Sequence, residues 1–188
     1  MGIIPILAEI LDALKLAKKI KEALDKLIPP PPQDLKDKHR WMQITLKNAT
    51  QFPLLLDQTY FDSGRYWTAP AGSSAFDQNV FSVCNKDHSP VTGASGGTSF
   101  QIVLDKTHTF NIALGWTAPE AGRFKAGVIE STDPKDGYNA ASPTGNFIIS
   151  QNEYEGTDKE GNPTKIYFHV SAAPGNEAMF VVTEVKLE

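Results

Sequence analysis

Apolar residues recur at Ile3, Ile6, Leu7, Ile10, Leu11, Ala13, Leu14, Ala17, Ile20, Leu24, Leu27 and Ile28, the three-and-four spacing that gathers side chains on one face of an α-helix. On a helical wheel Asp12, Lys15, Lys18, Lys19, Glu22 and Lys26 share the polar sector, while Glu9 and Lys21 interrupt the apolar arc. Pro5 is tolerated in a first turn, and the run Pro29–Pro32 forces the chain out of the helix, so the pattern predicts a helix over residues 5–28. Such a helix would reach roughly 36 Å, against a bilayer hydrocarbon core of about 30 Å. It is long enough to cross a membrane and too charged to do so alone.

From Trp41 onward the period becomes strand-like, with short β-branched and aromatic runs separated by Gly, Pro, Asn and Asp. Strands are predicted at 41–47, 53–60, 80–85, 98–104, 109–116, 124–130, 164–172 and 178–187. The tetrad Asp105-Lys106-Thr107-His108 lies between two apolar runs as a hairpin connection. The fold class that follows is mainly β: an antiparallel β-sandwich flanked by short helices, with an N-terminal amphipathic helix. Gly and Pro punctuate 131–163 too often for long regular structure, although a short helix at 135–141 is compatible with it. The organisation is thus an amphipathic arm at 1–28, a proline-rich and charged hinge at 29–40, and a sandwich at 41–188.

Composition narrows the class of function. With 188 residues, 40% hydrophobic, the chain can bury one sizeable core. Its net charge of −4 argues against nucleic acid as a partner and against simple electrostatic docking on anionic lipid. A single cysteine, Cys84, excludes an internal disulfide framework. Glu9 and Asp12 interrupt the first apolar stretch, so it does not read as a signal peptide, and the chain is expected to be soluble, secreted or cytoplasmic before release.

Catalytic chemistry finds little support. His39, His88, His108 and His169 are scattered without metal-ligand spacing, and no cofactor or metal is expected. Thr92–Gly97 is glycine-rich but lacks the lysine of a phosphate-binding loop, and reads as a tight turn or loop. Gly93-Ala94-Ser95-Gly96-Gly97 fits the letters of a nucleophile elbow, yet a strand pattern follows it where a helix is required. Asp57, Asp62, Asp77 and Asp87 are carboxylates in turn-rich surroundings, where solvation is the ordinary role. An enzyme is therefore not expected.

Three stretches carry a resemblance: Thr59-Tyr60-Phe61-Asp62-Ser63-Gly64, then Asn85 to Gly96 with Thr92-Gly93-Ala94, then Thr109-Phe110-Asn111-Ile112-Ala113-Leu114-Gly115-Trp116. In content, order and spacing they resemble the actinoporins, pore-forming cytolysins of sea anemones with relatives in molluscs, mosses and fungi. His39-Arg40-Trp41 stands where that family has a basic pair entering its first long strand, and Ala178 to Val185 looks like its last strand. The resemblance implies a toxin that binds a membrane through sandwich loops, oligomerises there from a monomer in solution, and inserts its N-terminal helix as a cation-permeable pore in the target-cell membrane, causing hemolysis. It implies a pocket for the phosphocholine of sphingomyelin, onto which Ser63, Ser95, Gly115, Trp116, Thr117, Phe124 and Tyr138 would fall, and a lumen lined by Asp12, Lys15, Lys19, Glu22 and Lys26. Charges of both signs on that lining predict weak ion selectivity.

The loop Thr117–Phe124 departs from the family: it is acidic at Glu120 and holds one aromatic residue where the family has several. Aromatic rings hold quaternary ammonium groups and anchor proteins at lipid interfaces, so another lipid or a glycolipid competes with sphingomyelin as receptor. A carbohydrate-binding lectin of related sandwich fold, without pore activity, is the alternative function. Packing roles compete at individual residues: Tyr66, Trp67, Trp116 and Phe124 suit core or edge positions, and Ser63 suits a turn.

Overall fold

The computed structural model describes residues 28–87, 92–158 and 160–186. The arm, with Asp12, Lys15, Lys19, Glu22 and Lys26, lies outside the described residues. In chain order the elements are α1 (Gln33–Lys36), β1 (Trp41–Ala49), β2 (Leu54–Ser63), β3 (Arg65–Thr68), β4 (Gln78–Cys84), β5 (Ala94–Val103), β6 (Thr109–Ala118), β7 (Lys125–Glu130), α2 (Pro134–Ala140), β8 (Asn146–Ile149), β9 (Tyr154–Thr157), β10 (Pro163–Ala173) and β11 (Glu177–Lys186). One sheet runs β3-β4-β1-β11-β10-β8, with β9 paired on β10, and the other runs β2-β5-β6-β7. Together they form a β-sandwich. The ladders are antiparallel except where β1 meets β11, which lie side by side and parallel.

Period-two alternation builds the core between the sheets. Met42, Ile44 and Leu46 of β1, Phe100 and Ile102 of β5, Phe110, Ile112, Leu114 and Trp116 of β6, and Ile166, Phe168 and Val170 of β10 all project into it. Burying each such side chain contributes about 1.5–3 kcal/mol. The Phe110 and Phe168 rings stack across the sandwich at 5.1 Å. On β1 and β11 the alternate residues are buried as well: Gln43, Thr45, Met179, Val181 and Thr183 are withdrawn from solvent on the outer face of the larger sheet.

The hairpin at 105–108 forms as its composition suggests, because the Asp105 carboxylate accepts from the amides of Thr107 (2.7 Å) and His108 (2.9 Å). Two expectations are corrected. Ser95, Gly96 and Gly97 belong to β5 instead of a loop, for a packing reason given below. The hinge is structured in part: Gln33–Lys36 makes a helical turn whose Leu35 is fully buried, and Gln43 Nε2 donates to the Pro29 carbonyl at 2.8 Å.

His169 occupies the outward side of β10, in register with Ile149 and Thr183. It is fully buried, its ring lies 5.4 Å from that of Phe147, and neither ring nitrogen has a hydrogen-bond partner among the described residues. Burial lowers its pKa because an imidazolium there would lack solvation. The unfolded chain therefore binds this proton more readily than the native one. The corresponding stability is complete above the ordinary imidazole range and is lost as pH falls through it, with a slope of at most about 1.4 kcal/mol per pH unit. Urea unfolding above and below that range should show less acid destabilisation in His169→Phe than in the unaltered chain; equal pH dependence in the two would contradict this role.

Candidate functional site

A row of glycines crosses the outer face of the smaller sheet. Gly97, Gly115 and Gly127 are register partners on β5, β6 and β7. A Cβ on them would stand 1.9 Å from the Pro134 carbonyl oxygen, 1.8 Å from that of Gly137 and 2.2 Å from that of Ala140. Helix α2 therefore lies across the strands with backbone against backbone, and only glycine permits the approach. Gly137 reciprocates, since its own Cβ would meet the Leu114 carbonyl oxygen at 2.6 Å. Asp133 caps the helix by accepting from the Lys135 amide at 2.9 Å, and Pro134 opens its first turn.

That seating places Tyr138 beside Tyr60 of β2, with ring centroids 5.7 Å apart, and Lys135 Nζ 5.9 Å from the Tyr60 ring. The phenol of Tyr138 is pushed up in pKa by burial and then by the charge and hydrogen bond of Asp62. Two residues along each strand from the glycines, a polar row crosses the same face: Ser63, Ser95, Thr117 and Lys125 are successive register partners. Ser95 is buried to 7% exposure, while Ser63, Thr117 and Lys125 are half-buried. The result is a shelf of three hydroxyls bordered by two phenol rings and a carboxylate. Chemically, the rings and Asp62 suit a cationic group, and the hydroxyls suit the oxygens of a polar headgroup or a sugar.

The structure sets Ser63, Ser95 and Thr117 in one row with Tyr138 on the helix beside it, and turns Trp116 away from them. Gly115 lies beneath α2. Trp116 is 0% exposed because it alternates inward on β6, where its ring packs at 6.1 Å from Phe61 and 5.7 Å from Phe81. Trp116 accordingly packs in the core instead of in the site expected for it, while Gly115 seats α2, where a Cβ on it would stand 2.6 Å from the Tyr138 amide nitrogen. Phe124 is half-buried against the core, immediately before β7. Tyr60 and Asp62 were absent from the predicted set; their signal was the bulge between Phe61 and Ser63, which turns Ser63 and its neighbours toward the shelf.

Arg40, which the resemblance places only as part of a basic pair entering the first long strand, ties two segments together. Its guanidinium donates through Nε to the carbonyls of Pro119 (2.8 Å) and Glu120 (3.1 Å), through Nη2 to Glu120, and through Nη1 to the His39 carbonyl (2.9 Å). Its backbone exchanges hydrogen bonds with Asn85. The loop between β6 and β7, which adjoins the shelf, is thereby tied to the entry of β1.

These features define a two-sheet β-sandwich carrying a polar and aromatic shelf at one end of its smaller sheet. No model of a known protein family matches the sequence, and no curated protein sequence matches it. Among solved structures the chain is similar in fold to Nakanori, described as a lipid binding protein. The TM-score is 0.48 at 12% identity, over 91% of this chain and 79% of that one.

Proposed function

We propose that this chain is a membrane-binding, pore-forming toxin of the cytolysin type. The shelf and its neighbouring loops dock on a lipid headgroup, copies assemble on the membrane, and residues 5–28 insert as a cation-permeable pore. The observation that carries the docking step is the convergence of Ser63, Ser95 and Thr117 with the Tyr60–Tyr138 ring pair, a combination able to take both halves of a zwitterionic headgroup. The arm supports the pore step. Its apolar stripe needs burial and its polar sector needs water, and a ring of helices in a bilayer satisfies both. The chain would reach the target-cell membrane as a water-soluble monomer.

Replacing Ser63 and Thr117 together by alanine removes two hydroxyls without adding bulk. Affinity for sphingomyelin vesicles should fall about tenfold, the equivalent of two modest hydrogen bonds. Co-sedimentation measures it, and unchanged binding would overturn the assignment of the shelf. The single aromatic residue of Thr117–Phe124 favours a second reading, a lectin whose hydroxyl row and phenol rings hold a sugar. Strong hits on a glycan array without leakage from any lipid mixture would establish it.

A further inference from the structure

We infer that Lys38, Arg65 and the Trp67 indole form a binding site for a phosphate group, held in the free protein by the carboxylate of Asp87. Three separate segments converge there: Lys38 follows α1, Arg65 opens the edge strand β3, and Asp87 follows β4. Lys38 Nζ lies 2.8 Å from Asp87 Oδ1, and Arg65 Nη2 lies 3.1 and 3.0 Å from its two oxygens. Both cations also sit over the same ring, with Lys38 Nζ 5.3 Å and Arg65 Cζ 5.5 Å from the Trp67 centroid. The indole holds them in place whether or not the carboxylate is there.

Asp87 is an incomplete occupant. Nε and Nη2 form one edge of the guanidinium, the fork that engages two oxygens of an oxyanion, yet Asp87 uses Nη2 alone. Arg65 Nε is withdrawn from solvent and has no hydrogen-bond partner among the described residues. Two cations against one carboxylate also leave a unit of positive charge, whereas a phosphate dianion in place of the carboxylate would match both cations. Asp87 is half exposed, and its carboxyl is held down at about 2, first by the hydrogen bond from Lys38 and then by that from Arg65. It is therefore ionised throughout the physiological range and competes with an incoming anion at every relevant pH. Exposed ion pairs contribute little net stability, so displacement is cheap. Arg40, by contrast, is saturated by carbonyl oxygens and stands apart from this exchange.

The site lies at the edge of the larger sheet, not on the shelf, and does not depend on pore formation. Its ligand is a phosphate monoester, either free in solution or as the headgroup of a lipid. The test uses the full chain, with glycerol 3-phosphate titrated by calorimetry and phosphatidic acid vesicles compared with phosphatidylcholine vesicles by co-sedimentation. Asp87→Asn removes the competing charge at an exposed position and should bind glycerol 3-phosphate about tenfold more tightly than the unaltered chain. Adding Lys38→Gln should cancel that gain. Retention of Asp87→Asn on phosphatidic acid vesicles, reversed by glycerol 3-phosphate, assigns the site to lipid; tight soluble binding without such retention assigns it to a free phosphate ester. Binding by Asp87→Asn no tighter than that of the unaltered chain, or a gain that survives Lys38→Gln, would overturn the inference. Neither result bears on the Ser63 and Thr117 hydroxyls, so this site and the shelf fail independently.

Discussion

Gly115→Val should lower stability by about 3 kcal/mol and disable the shelf in the same step. Strand propensity alone points the other way, because valine is preferred over glycine in an isolated strand. The sign is set by the Gly137 carbonyl oxygen, 1.8 Å from where the new Cβ would stand. Backbone cannot yield as a flexible side chain does, so α2 must lift off the glycine row. Tyr138 then leaves Tyr60. At roughly 2–4 °C per kcal/mol for a domain of this size, the melting temperature should drop by about 6–12 °C. Thr117→Val, two residues along the same strand face and half-buried, should change it little. A Gly115→Val protein that melts with the unaltered chain would show that α2 does not bear on the sheet in this way.

Deleting residues 1–28 should abolish vesicle leakage entirely while leaving a folded sandwich that still sediments with the same vesicles. Among the described residues the core runs through β1, β5, β6, β10 and β11, and Leu35, fully buried, remains in the shortened chain. The shelf hydroxyls and the Tyr60–Tyr138 pair are likewise retained. Undiminished dye release from the shortened chain would remove the arm from the mechanism.

Long strands with a clear inward series could be read from the sequence, since Phe110-Ile112-Leu114-Trp116 and Ile166-Phe168-Val170 alternate cleanly. The turn at Asp105 was legible for the same local reason: its carboxylate serves its own hairpin. β3, β8 and β9 were not foreseen, because four-residue edge strands such as Asn146–Ile149 and Tyr154–Thr157 have too few inward positions to establish a period. The parallel pairing of β1 with β11 joins the first and last strands in chain order and leaves no local signature. Gly96 and Gly97 misled because glycine ordinarily marks turns. Here it marks close approach, to the Tyr60 carbonyl oxygen and the Trp116 ring on one side and to the Pro134 carbonyl oxygen on the other.

The site divides in the same manner. Of the residues that the resemblance singles out, Ser63, Ser95 and Thr117 are aligned on one face by register, and Tyr138 stands on the helix beside them. Trp116 enters the expected pocket only because the resemblance carries Gly115-Trp116-Thr117 onto it as one segment, whereas its inward phase on β6 makes it core, the packing role that competes for it in the sequence. Arg40 is marked by the resemblance without a role, since its partners are carbonyl oxygens contributed by Pro119 and Glu120, which leave no motif.

Dye release and co-sedimentation of the full chain, recorded together on vesicles with and without sphingomyelin, sterol and anionic lipid, test the central claim most directly. Release should occur in the mixtures that bind the protein and should rise cooperatively with bound protein, as assembly requires. Binding without release from any mixture, or no binding at all, would contradict it.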